Sequence, residues 1–239
     1  MNKKIEKYWN QYKSYRRKVK RAKRIKKYRD KIAPYLKKDF GVELNYKLWI
    51  TKGARFKASE RNNIGDNLSS QTIGYLSAYL IIFNLVNIYD ISFIVKFTND
   101  QLGFISTALS ILILLYSQFE NAKKHSIKSE KFHQCSLEIA ELYNELRMVK
   151  TFENIYNRED KIKRISERYD EILKKYENHL PIDLADFRRT KPKYFELNWF
   201  EINWIRVKKY FLVRFKYHLM IYGPILTYIG YQIWIKYCG

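Results

Sequence analysis

The chain has 239 residues, 46% hydrophobic and 29% charged, with a formal net charge of +22 and a pI near 9.8. That balance excludes an acidic surface and favours anionic partners such as lipid headgroups, nucleic acid or nucleotides. Two cysteines without CxxC or metal-type spacing give no disulfide framework and fit a reducing compartment.

The charge is uneven along the chain. Residues 1–70 hold 22 Lys and Arg against 6 Asp and Glu, and residues 120–218 hold 22 against 16, with an almost uncharged stretch between. The first unit, residues 1–40, opens with 15 Lys and Arg against Glu6 and Asp30. Ile5, Trp9, Tyr12, Val19, Ala22 and Ile25 fall roughly on one face, so a basic amphipathic helix is predicted, ended by Pro34. Its candidate surface cations are Arg16, Arg17, Lys18, Lys20, Arg21, Lys23, Arg24, Lys26 and Lys27. They suit an anionic membrane leaflet, where each contributes about 1 kcal/mol, or the phosphates of nucleic acid. A solvated helix packed on the body is the third reading. Because the basic run leads into more charge and not into a short apolar region, no signal peptide is expected.

Residues 44–63, "LNYKLWITKGARFKASERNN", have a helical pattern with Lys52, Arg55, Lys57 and Arg61 as a basic flank. Then come 23 residues without formal charge, Asn67–Tyr89, and 19 more, Gln101–Phe119. A bilayer core needs about 20 such residues in a helix, so transmembrane helices are predicted at about 68–89 and 101–119. A buried soluble hairpin of that length would show a charged stripe, and neither run has one. The connection from Asp90 to Asp100 carries only Lys96 among basic residues, whereas the outer flanks are dense in them. By the positive-inside rule both flanks are cytoplasmic and the short loop is exported. Ser77, Asn84 and Asn87 share a face of the first span, and Ser106, Ser110 and Ser117 a face of the second. Such residues either let membrane helices pack closely or, in an oligomer, line a water-filled path.

After the second span, Phe132, Ser136, Ile139, Tyr143, Leu146 and Val149 recur at steps of four and three, with Glu138, Glu141 and Glu145 as an acidic flank. At about 1.5 Å per residue, Arg55 and Phe132 lie at equal distance from the membrane. The hairpin is therefore expected to continue as a paired cytosolic stalk, with Trp49, Arg55, Phe132, Ile139, Tyr143 and Leu146 as packing residues; residues 41–150 form the core unit. In residues 151–190 a coiled-coil-like helix carries Ile162, Ile165, Tyr169, Ile172 and Tyr176 and is expected to stop at Pro181. That stripe needs a partner in the chain or in a second copy, and a homo-oligomer is expected. Residues 191–239 begin aromatic and basic and end in 17 uncharged residues, 219–235, interrupted by Gly223-Pro224. This segment spans the membrane, re-enters it or lies in the interface; if it spans, the final "KYCG" is outside.

The predicted fold class is all-α: a two-helix transmembrane hairpin continued as a cytosolic helical stalk, with residues 219–235 a candidate third membrane helix. Catalysis is not expected. There is no GxxxxGK[ST], GxSxG or HExxH. Glu130 and His133 make one Glu-x-x-His where a di-iron bundle needs two, and His125 and His179 have no partners at metal spacing. No cofactor or metal is predicted.

Three stretches carry a resemblance: "WITKGARFKASERNN" (49–63) before the first span, "HQCSLEIAELYNELR" (133–147) after the second, and "KYENHLPIDLADF" (175–187). Together they resemble the SLATT family of two-transmembrane proteins from bacterial conflict systems, over about residues 44–190. The likeness is closest to the subgroup associated with reverse transcriptases. The resemblance implies a bacterial inner-membrane effector of antiphage defence, its bulk cytoplasmic, that oligomerises and breaches the membrane in abortive infection. The basic N-terminal helix and the apolar C-terminal segment lie outside the resemblance. With no nucleotide-binding domain in the chain, sensing falls to a partner, a reverse transcriptase or a nucleotide-signalling enzyme. The alternative is a membrane anchor or scaffold that recruits a cytosolic nucleic-acid enzyme through the basic N-terminal helix.

Overall fold

The computed structural model describes residues 39–89, 98–152 and 155–238, together with Arg16, Arg17 and Lys20. These three basic residues are helical and exposed. Lys18, Arg21, Lys23, Arg24, Lys26 and Lys27 lie outside the described residues, as does most of the 1–40 unit.

All regular structure among the described residues is helical. Helix α1 (Phe40–Ile88) runs unbroken for 49 residues, about 73 Å at the α-helical rise. Helix α2 (Asn99–Ala122) returns beside it. Its start is fixed by a capping box in which the Thr98 hydroxyl accepts from the Gln101 N–H and the Gln101 side chain accepts from the Thr98 N–H. The hairpin continues into the expected helical stalk, with one break on this side. Lys124 takes a left-handed conformation, φ 51°, which ends α2 and redirects the chain into α3 (His125–Phe152).

Helix α3 then runs antiparallel to the inner half of α1. The Ser129 hydroxyl donates to the Ser59 carbonyl at 3.0 Å, the Phe56 and His133 rings meet edge to face at 5.6 Å, and the Arg55 guanidinium lies 5.6 Å from the Phe132 ring centre. Helix α4 (Ile155–Lys175) closes the third side. Leu44, Leu48, Cys135, Ile139, Leu142, Leu146, Ile162, Ile165 and Tyr169 are buried in one core, with Tyr143, Ile172 and Tyr176 packed at its edge. Each large aliphatic side chain buried there contributes about 1.5–3 kcal/mol. The Ile162–Tyr176 stripe thus finds its partner within the chain, and it no longer argues for a second copy.

Helix α4 ends at Lys175, six residues before Pro181. Pro181 instead opens α5 (Pro181–Arg189) at its first turn, where its missing N–H costs nothing. The Asp183 carboxylate accepts the Leu180 N–H at 2.9 Å and fixes that start. Helix α5 runs antiparallel to α1, with Asp183 beside Arg61 and Phe187 against Gly53. A short turn, α6 (Pro192–Phe195), ends in a left-handed Glu196 and lays Tyr194 and Phe195 against Trp49. Helix α7 (Trp199–Val213) and α8 (Phe215–Cys238) then run parallel to α1 along its length. The contacts mark the direction: Phe195 lies at Trp49, Lys209 at Glu60 and Ile221 at Tyr79.

Candidate membrane junction

The molecule has two ends of different chemistry. At one, the outer half of α1 exposes Ile81, Ile82 and Ile88, α2 exposes Phe104, Leu112 and Leu114, and α8 exposes Leu226 and Ile233. So large an apolar surface exceeds what a soluble monomer leaves uncovered. Among the described residues, α2 provides the one stretch long and apolar enough by composition to cross a membrane, and none of that stretch is buried.

Where the apolar end meets the body sits Glu120, only 4% exposed. Lys216 donates to its Oε1 at 3.0 Å and the Tyr217 hydroxyl to its Oε2 at 2.9 Å. Lys123, one turn along from Glu120, also donates to Oε1. Burial alone would raise the Glu120 carboxyl; the hydrogen bonds from Lys123, Lys216 and Tyr217 outweigh it and hold the group at about 2. The same burial, with the neighbouring carboxylate, pushes the Tyr217 phenol up. His125 stands 3.9 Å from Glu120 through Nε2 and 3.5 Å from the Asn62 amide oxygen through Nδ1, and burial pulls its imidazole down. Charge-assisted bonds of this kind are about twice as strong as neutral ones. They tie the start of α8 to the end of α2.

A second ionic cluster fixes α5 and α7 on α1. Arg61 makes a two-pronged contact with Asp183, at 2.8 and 3.2 Å. Asp186, 1% exposed, accepts from Lys209 at 2.7 Å and from Arg189 at 2.6 Å, with Lys57 at 3.8 Å. Burial would raise the Asp186 carboxyl, but Lys209 and Arg189 hold it below the usual range. Lys209 also reaches Glu60 at 2.8 Å.

The stalk-packing residues occupy different places. Phe132, Ile139 and Leu146 are buried between α1, α3 and α4, with Tyr143 at the rim under the Lys52 ammonium at 4.3 Å. Trp49 faces the α5–α6 side, within an aromatic cluster of Phe187, Tyr194 and Phe195. Arg55 is fully buried. Its Nη2 donates to Asn178 Oδ1 at 3.1 Å, and its Nε and Nη1 find no hydrogen-bond partner among the described residues. Burial and Arg55 itself pull the His179 imidazole down.

Of the polar span residues, Ser77, Asn84, Ser106 and Ser117 are half-buried. Ser110 is exposed, and its hydroxyl donates to the Ser106 carbonyl of its own helix at 2.8 Å. The Asn87 side chain lies outside the described residues. The described serines and Asn84 are not joined across the two helices by any hydrogen bond among the described residues. No group of three or more His, Cys, Asp or Glu there could hold a metal ion, and burial pushes the Cys135 thiol up to about 11, away from reactivity. Glu120, Asp183, Asp186 and Lys209 escaped sequence reasoning, because their partners are brought together only by the return of α5 to α8.

No curated protein and no solved structure matches the chain. A family model, described as SMODS and SLOG-associating 2TM effector domain family 5, matches residues 37–230. It extends well past the 44–190 resemblance and takes in α7 and most of α8, so the C-terminal segment is part of the shared domain and not an addition to it. The chain belongs to the SMODS and SLOG-associating 2TM effector domains, family 5.

Proposed function

We propose that the chain is a membrane effector of bacterial antiphage defence that assembles as a homo-oligomer in the inner membrane and permeabilises it after a cellular trigger. One observation carries this reading: an apolar end that no part of the described chain covers is joined to a body closed by its own core and ion pairs. The family description, a two-transmembrane effector domain, supports the membrane and effector roles. In an oligomer the half-buried Ser77, Asn84, Ser106 and Ser117 would turn to neighbouring copies or to water, which is where polar groups in lipid go. The trigger would come from a nucleotide-signalling enzyme or reverse transcriptase.

The test is membrane potential, read with a voltage-sensitive dye in bacteria expressing the chain, with and without phage challenge. Depolarisation that needs the challenge is expected. An unchanged potential with abundant, inserted protein would overturn the reading and favour the scaffold, in which the basic N-terminal unit recruits a nucleic-acid enzyme. Asn84→Leu with Asn87→Leu should lower conductance in planar bilayers if these amides line the path.

A further inference from the structure

We propose that α8 is a third membrane-spanning helix, parallel to α1, with Lys216 at the cytoplasmic boundary and Cys238 on the far face. The family description counts two spans, and among the described residues α2 qualifies as a span by length and composition while α8 does not. The neighbours of α8 nominate it.

The depth of α8 is set by contacts with the two hairpin helices. Lys216 and Tyr217 meet Glu120, just inside the cytoplasmic end of α2. One turn further on, the Ile221 carbonyl accepts a hydrogen bond at 2.9 Å from the Tyr79 hydroxyl, well inside the outer half of α1. From there α8 has 17 more residues. Its 24 residues extend about 36 Å, enough for a hydrocarbon core of about 30 Å.

The surface of α8 matches lipid and not an in-plane seat. Between Tyr217 and Lys236 there is no Asp, Glu, Lys or Arg, so the helix lacks the charged face that an interfacial helix keeps in water. Leu219, Met220, Leu226, Ile229, Ile233 and Trp234 are exposed over about half its circumference. Two of its polar groups are served from within the protein, the arrangement lipid favours. Pro224 cannot donate to the Met220 carbonyl, and Tyr79 reaches the next carbonyl at that same weakened turn. The Thr227 hydroxyl donates to the Pro224 carbonyl at 2.9 Å. Trp234 and Tyr237 near one end and Tyr217 and Tyr222 near the other stand where aromatic belts form. Lys208, Lys209, Arg214 and Lys216 precede the span, and Lys236 alone lies at its far end, in keeping with the positive-inside rule.

The proposal rests on membrane insertion of the hairpin and is independent of permeabilisation. The unaltered chain can report on it, because it has two cysteines and Cys135 is buried. A membrane-impermeant maleimide applied to intact spheroplasts should label the protein; Cys238→Ser should abolish the labelling and Cys135→Ser should leave it. Labelling confined to inverted vesicles would overturn the proposal. Full-length fusions after residue 239 give an independent reading: active alkaline phosphatase and dark green fluorescent protein are expected, and the opposite pattern would overturn it. Outside labelling without depolarisation would sink the permeabilising function and leave the third span standing, whereas depolarisation with an inside Cys238 would do the reverse.

Discussion

Replacing Gly53 by alanine tests how α5 is held on α1. A methyl group at Gly53 would overlap the Phe187 ring, whose atoms are the three nearest to it. The helix itself gains about 1 kcal/mol from Gly to Ala. Against this, overpacking a filled site costs about 1–3 kcal/mol, and the ring is hemmed in by Trp49 at 5.2 Å and Phe195 at 6.3 Å. If Phe187 is forced out, the loss of its burial adds about 1.5–3 kcal/mol. The net expectation is destabilisation of about 2 kcal/mol, which for a chain of this size lowers the melting temperature by roughly 4–8 °C. Thermal unfolding of detergent-solubilised protein measures it. The distinguishing control is Phe187→Leu, which makes room for the methyl group: the double variant should be more stable than the sum of the single effects by about 1 kcal/mol. Unchanged or raised stability in Gly53→Ala, or strict additivity with Phe187→Leu, would refute the close seating of α5.

Four further outcomes follow from the charged groups and the backbone. Glu120→Gln should loosen α8, at a cost of about 1–3 kcal/mol for charge-assisted bonds lost to Lys216 and Tyr217; limited proteolysis near Arg214 should accelerate. Because the Glu120 carboxyl is held at about 2, below its ordinary 4.5, its stabilisation is fully present above about pH 4.5 and lost as pH falls toward 2. The wild-type melting temperature should therefore drop more steeply over that window than that of Glu120→Gln, and parallel profiles would contradict this. Arg55→Met keeps the volume while removing a buried guanidinium with two unpaired nitrogens, so it should cost less than about 1.5 kcal/mol, whereas Arg55→Ala should cost more through the cavity it leaves; unfolding of both variants checks the order. Lys124→Gly should raise stability by about 1 kcal/mol, since glycine takes the left-handed conformation without strain, and a lowered melting temperature would count against that turn.

The all-α class and the family were legible because they rest on long, one-signal features: uncharged runs at 67–89 and 101–119, and stripes at steps of three and four. What stayed hidden was of three kinds. The break after α2 falls at Lys124, a residue type with no preference for a left-handed turn, so no glycine announces it. Pro181 has two meanings, since it can stop one helix or begin the next, and the Asp183 cap decides between them only in three dimensions. Two partners of Glu120, Lys216 and Tyr217, lie about a hundred residues away, and the direction of α8 becomes readable only once Tyr79 and Glu120 fix its depth. Trp49 shows the same limit: periodicity puts it on a helix face, but the ring cluster it joins comes from α5 and α6.

The unbroken length of α1 has a mechanical side. Its inner half is gripped by α3, α4 and α5, and it runs without a proline or a break in its turns from Phe40 to Ile88. A rod held this way acts as a lever with its fulcrum at the bilayer surface. In the membrane placement proposed above, a tilt of about 10° imposed on the body sweeps the opposite tip sideways by about 5 Å across a hydrocarbon layer of about 30 Å. That is about the width of a helix backbone and about half the spacing between packed helices, so a modest torque on the body, whatever its source, is enough to shift the contacts at the far end.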